Sequence, residues 1–217
     1  MIGHIGGLEI LLKRGVGDRS KDILAGMLND EWGSQVKADR EMIRKRFDSG
    51  ATFFVAYDHP SEEDASYIRN KHGIYVSDKK IPIGLVETVA IFTEGNRDHV
   101  PQNYQEITNK GYWRSPTPGA DTIILVDITL LRTRRGKTGN GEASALLKYA
   151  VNNAKKKCPF VWTFTPEDER LRIWHMIHGA MDTNHILWNA RPGYRNPNVV
   201  IMDYSWRPQD SQFLLPM

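Results

Sequence analysis

The 217-residue chain carries 29 Lys and Arg against 26 Asp and Glu, a net charge of +3, with 40% hydrophobic and 25% charged residues. That is the balance of a globular protein long enough for one core and short for two ordinary domains. The mild charge does not by itself argue for nucleic acid, where a domain-wide basic stripe is expected, and no apolar run approaches the roughly 20 residues of a membrane helix.

One cysteine, Cys158, rules out an internal disulfide and suits a reducing compartment. Met1 to Gly7 shows neither a basic n-region nor an apolar h-region, so no signal peptide and a cytoplasmic location are expected. Cys158 lies between a lysine run and Pro159, where a packing or loop thiol is the expected role.

In chain order, Leu8 to Leu12 reads as a strand. A helix follows, capped by Asp18 or Ser20, with Ile23, Leu24, Met27 and Leu28 on one face and Gly33 as its stop. A second helix is predicted over Lys37 to Asp48, ending at Gly50, with Met42, Ile43 and Phe47 inward. Thr52 to Tyr57 reads as a strand, and Asp58 to Lys80 as polar and irregular, with an extra strand considered over Gly73 to Ser77. Ile81 to Phe92 is a longer strand in which Gly84 marks an expected bulge.

Residues 93–120 hold many Gly, Pro and Asn and read as a long functional loop. Its aromatics Tyr104, Tyr112 and Trp113 suit either an acceptor pocket or anchors for the loop. Asp121 to Leu131 is the strongest strand signal, apolar enough for a central strand covered on both faces. Ala143, Leu146, Leu147, Ala150, Val151 and Ala154 recur at helical spacing. Phe160 to Phe164 is the next strand, a helix opens at Asp168 or Glu169 and ends at Gly179, and two strands, Ile186 to Trp188 and Val199 to Tyr204, flank Arg191-Pro192-Gly193-Tyr194. The order is that of a mixed α/β domain with one sheet spanning residues 1–217 and a long insertion at 93–120.

The segment between the best strand and the best helix carries the functional signal. Arg132-Thr133-Arg134-Arg135-Gly136-Lys137-Thr138-Gly139-Asn140-Gly141-Glu142 puts three glycines and four cations (Arg132, Arg134, Arg135 and Lys137) at a helix N-terminus. There, unpaired N–H groups and the helix dipole favour phosphate. A Walker A loop would need glycine where Leu131 stands. A dinucleotide fingerprint would need a third glycine where Ser144 stands. A glycine-rich connection with solvated arginines is the plain structural alternative.

This turn resembles the Arg/Gln-x-x-Gly-x-Gly/Ala motif of the GNAT (Gcn5-related N-acetyltransferase) superfamily. Gly139-Asn140-Gly141 stands as its closing part, and Arg135 lies one residue earlier than the motif's arginine. The resemblance implies a single, mostly antiparallel sheet of about seven strands flanked by about four helices, splayed between its fourth and fifth strands. It also implies acetyl-CoA, or another acyl-CoA, as co-substrate. The pyrophosphate would rest on the amides of Lys137 to Glu142, and Arg135, Gly136, Thr138, Gly139, Asn140 and Gly141 would complete the cradle. Backbone near Leu130 and Leu131 would meet the thioester.

The acceptor would be an amine on a small molecule or peptide, in a monomer or a homodimer, with no nucleic acid or membrane involved. Many members of the family use a tyrosine acid in a Phe-Tyr-x-x-x-Gly-Phe segment; Trp174-His175-Met176-Ile177-His178-Gly179-Ala180 matches it here, with His175 in the tyrosine's place. A helix histidine satisfied by a neighbour is the alternative. Glu87 acting through water, and Asp127, are the candidate bases; a solvent-facing carboxylate and a buried structural pair are their respective alternatives. A catalytically silent CoA-binding module on the same fold is the competing function.

Overall fold

The computed structural model describes residues 2–5, 8–12, 16–32, 40–49, 51–110, 116–136, 141–188 and 198–205. Its elements are β1 (Ile2–Ile5), β2 (Leu8–Leu12), α1 (Asp18–Trp32), α2 (Arg40–Asp48), β3 (Phe53–Asp58), α3 (Glu62–His72), β4 (Ile81–Ile91), α4 (Tyr104–Ile107), β5 (Thr122–Leu130), α5 (Glu142–Lys155), β6 (Phe160–Pro166), α6 (Glu169–Ile177), β7 (Met181–Leu187) and β8 (Val199–Asp203). One eight-stranded sheet runs β1-β2-β3-β4-β5-β6-β8-β7. Every neighbouring pair is antiparallel except β5 and β6, which are joined through α5 and lie parallel. Among the described residues no helix is long and apolar enough to cross a membrane.

The strands are buried along nearly their whole length in the middle of the sheet and carry a continuous apolar core. Side chains alternate between faces along a strand. On β4, Gly84 faces α5, where an added Cβ would lie 2.9 Å from methyls of Leu130 and Leu146. Glu87, three residues on, faces α2 and Arg46. Helices α1 and α2 thus cover one face and α5 the other. Gly84 serves this close helix packing; the register shifts lie beside it, opposite Ala56/Tyr57 on β3, and at Glu87/Thr88 against β5.

The sequence reading captured the order of the main elements but missed β1, α3 and the single turn α4. β1 pairs with β2 in a hairpin, yet Gly3 and His4 dilute its strand signal. Helix α3 stands where an irregular segment was expected, and residues 74–77 form no strand. Only Ile68 and Asp64 of α3 are buried, so apolar periodicity is weak. Its ends are nonetheless marked: Ser61 and Asp64 form a reciprocal capping box, and Gly73 closes it in the left-handed region at φ 68°.

The described parts of the 93–120 segment, residues 93–110 and 116–120, are anchored to the body of the sheet. Asp121 accepts from the amides of Thr93 and Glu94 at 2.9 and 2.7 Å, and Asn103 caps the single turn of α4. Val100, Tyr104, Ile107 and Thr108 are buried. The stops expected at Gly33 and Gly50, Tyr112 and Trp113, and the Arg191–Tyr194 connection lie outside the described residues.

Candidate functional site

Where β5 and β6 meet, the sheet opens. Their parallel ladder has four rungs, from Thr122↔Phe160 to Leu125↔Thr163. Beyond it β5 stays with β4 as far as Leu130, while β6 stays with β8 as far as Pro166. A register shift at this point pairs Glu87 with Asp127 and Thr88 with Leu125, leaving Val126 as the extra residue of β5 at the apex of the opening. The Leu131 amide donates to Ile83 on β4 at 2.8 Å. Alternation turns Leu130 the other way, toward the edge that β6 has left, and Arg135 Nε reaches its carbonyl there at 2.8 Å. This opening is the splay expected between the fourth and fifth strands.

The glycine turn lies at the mouth of that opening. Arg132–Arg134 form one 3-10 turn, Gly136 sits at φ 67°, and Gly141 at φ 59° leads into α5 without a side-chain cap. Lys137, Thr138, Gly139 and Asn140 lie outside the described residues. The cations of the turn have separate uses. Arg134 is drawn inward, with 3.0 Å to Asp58, 2.7 Å to Asp64 and 2.9 Å to Glu142, and a further bond to the His59 carbonyl. It is a structural hub and not an open anion ligand.

Burial would raise the Asp64 carboxyl, but hydrogen bonds from Arg134, Thr133 and Ser61 outweigh it and hold it down at about 2. The Glu142 side chain is spent on Arg134, so only its backbone faces the mouth. Arg132 is exposed, and Arg135 bridges back to Leu130. An open cavity of about 450 Å³ runs beside the turn along one face of α3, lined by Glu63, Ser66, Tyr67, Asn70, Lys71 and Thr133.

Glu87 and Asp127 come together just past the apex, both buried. Arg46 of α2 donates to the two Glu87 oxygens at 3.2 and 3.1 Å, and Tyr104 of α4 lies 3.4 Å from Asp127. Burial first, and then the charge and hydrogen bond of Asp127, push the Glu87 carboxyl up to about 7 against the pull of Arg46. One cation beside two carboxyls is near neutrality when the pair holds one proton. Neither carboxylate points to solvent, the orientation considered for Glu87. Sequence reading passed over Arg46, although it shares the inward face of α2 with Ile43 and Phe47; a charge on an apolar stripe was the available signal.

His175 is elsewhere. The pairings Val89↔Ile124, Ile124↔Trp162 and Trp162↔Asp203 carry the Glu87 face across the sheet to Asp203. Tyr204, the next residue, turns to the opposite face. There His175 Nδ1 lies 2.6 Å from the Tyr204 hydroxyl, both residues being buried. The sheet separates His175 from the carboxyl pair, and the satisfied-histidine reading describes its surroundings. Cys158 is buried with its thiol pushed up by burial, as suits a packing residue. Among the described residues no cluster of His, Cys, Asp and Glu could hold a metal ion.

No family model and no curated protein matches the chain. Solved structures do. The loading GNATL domain of CurA from Lyngbya majuscula aligns over 90% of this chain and 96% of its own, with TM-score 0.60 and 14% identity. The GphF GNAT-like decarboxylase in complex with isobutyryl-CoA covers 91% of this chain and 99% of its own, with TM-score 0.59 and 13% identity. Arabidopsis thaliana NAA60 in complex with acetyl-CoA covers 90% and 97%, with TM-score 0.56 and 13% identity. At such identities the likeness is one of architecture, and it agrees with strand order, the single parallel pair and the splay: this chain has the fold of the GNAT superfamily.

Proposed function

We propose that the chain is an acyl-CoA-dependent N-acyltransferase acting on an amine of a small molecule or peptide. The observation that carries this reading is the parting of β5 from β6 beyond Leu125 and Thr163, with a carboxyl pair at its apex and an uncapped helix N-terminus at its mouth. The amides from Lys137 to Glu142 would take the pyrophosphate, and the exposed edge of β5 at Leu130 would hold the thioester arm.

In the reaction an acceptor amine attacks the thioester carbon, forming the N–C bond and a tetrahedral oxyanion. Collapse breaks the C–S bond, and the thiolate leaves with the electron pair. The proton lost by the amine passes, through water, to the Glu87–Asp127 pair, whose midpoint near neutrality suits a base. Positioning along β5 supplies the larger part of the rate.

The His175–Tyr204 pairing favours a second reading, a module that binds acyl-CoA without turning it over, because the residue in place of the usual tyrosine is held in the core. Calorimetric titration with acetyl-CoA tests the shared step: binding is expected, and its absence refutes both readings. Thiol release over a panel of amines then separates them, since turnover with any amine supports the transferase and none supports the module.

A further inference from the structure

The cavity beside the glycine turn is walled by a helix face of reversed character. Glu63, Ser66, Tyr67, Asn70 and Lys71 of α3 follow the i, i+3, i+4, i+7, i+8 spacing that normally carries an apolar stripe. Here the stripe is polar. With Thr133 it lines about 450 Å³ of open space, the size of a small-molecule site and far more than one ion fills.

The Tyr67 ring is fixed from behind, its hydroxyl donating to Asp30 of α1. Arg132, the neighbour of Thr133 in the chain, brings its guanidinium to the same hydroxyl. Lys71 lies one helical turn beyond Tyr67, and both cations are exposed. Among the described residues neither forms an ion pair. Glu63 stands at the other end of the stripe, about 12 Å from Lys71 along the helix axis. Ser66 Oγ accepts from Asn70 Nδ2 at 3.3 Å, which leaves the Ser66 hydroxyl proton and the Asn70 carbonyl for other partners.

We infer that this groove binds a phosphorylated nucleoside, with the phosphate on Lys71 and Arg132 and the base against Tyr67, its polar edge met by Ser66 and Asn70. The two cations select the phosphate. The aromatic wall, with a donor and an acceptor beside it, selects a flat heterocycle over a bare anion. Two sources share this chemistry: the nucleotide end of an acyl-CoA held at the adjacent turn, and a free nucleotide. The site stands on α3 and not on the parting of β5 from β6, so it does not depend on the acyl-CoA reading.

The probe is adenosine 3′,5′-bisphosphate, titrated by calorimetry into the full chain. The parent chain should bind it. Lys71→Met should weaken binding about five- to tenfold, and Lys71→Arg should stay within about twofold of the parent. Asn70→Trp, which fills the groove, should weaken binding at least as much as K71M. Both positions are exposed, so Tm should stay within about 2 °C of the parent in every variant. Saturating acetyl-CoA separates the sources: displacement of the probe identifies the nucleotide end of the acyl-CoA, and unchanged probe affinity identifies a free nucleotide.

If the parent chain fails to bind the probe, or if K71M and N70W bind it as well as the parent does, the inference is overturned. Failure of acetyl-CoA alone to bind, with the probe still bound, falls on the functional reading and leaves the groove's assignment in place.

Discussion

Replacing Glu87 by Gln should remove a pH dependence of stability that the native cluster builds in. The unfolded carboxyl titrates near its ordinary 4.5, and in the fold it is pushed up to about 7. Below about 4.5 both states hold the proton, and the group contributes nothing to pH dependence. Between about 4.5 and 7 the folded chain keeps a proton that the unfolded chain loses, so stability falls as pH rises, by roughly 1.4 kcal/mol per unit. Over that window the loss is about 3 kcal/mol, with no further change above it.

Glutamine can still accept from Arg46, and it carries no proton to lose over this range. Urea unfolding of both proteins from pH 4.5 to 8.5 should therefore give curves that converge or cross at low pH. By pH 8 the difference should have moved by about 3 kcal/mol in favour of E87Q. His72, whose titration is pulled down by burial, acts in the opposite sense near neutrality, but it is common to both proteins and cancels. Parallel curves would refute the account of the cluster.

Arg46→Met leaves two carboxyls buried without their cation. It should cost about 3–5 kcal/mol, more at pH 8 than at pH 5, and the R46M/E87Q double variant should recover part of the loss in the same urea assay. Tyr204→Phe takes the hydroxyl from His175 and should lower stability by about 1–2 kcal/mol; thiol release, once an acceptor is in hand, should be little changed, and a collapse of kcat would give His175 back a role in proton transfer. Gly141→Val forces a β-branched residue into φ 59° at the start of α5; acetyl-CoA titration should show affinity reduced about tenfold or more, since the strain of about 1–2 kcal/mol is relieved by moving the amides of the turn. Gly26→Leu should lower Tm, because even a Cβ there would sit 2.7 Å from the His72 ring at the contact of α1 with α3.

What could be read before the structure was whatever obeys local rules. The continuous apolar run of β5 and the spacing of Leu146, Leu147, Ala150 and Val151 announce a buried strand and the helix after it, and the glycines between them announce the turn. Helix α3 stayed hidden because its support lies at its ends and not on an apolar face. The cluster at Glu87 was half legible: the two carboxylates stood out on their strands, but their proximity depends on β4–β5 register, and Arg46 and Tyr104 arrive from 41 residues before Glu87 and 23 before Asp127. The position of His175 depends on which face of β8 carries Tyr204, and a local motif has no access to that. The division of labour among the arginines was equally out of reach, since Arg134 is claimed by carboxylates 70 and 76 residues away.

The four rungs between β5 and β6 also have a mechanical meaning. They make the sheet two slabs, β1 to β5 and β6 with β8 and β7, hinged along one short seam. Arg97, which follows β4, grips Asp203 of β8 at 2.6 Å and stacks 5.8 Å over Trp162, a rivet across the closed end of that hinge. The Arg97 contacts thus tie the two slabs together at the end of the seam away from the opening, where the sheet is continuous.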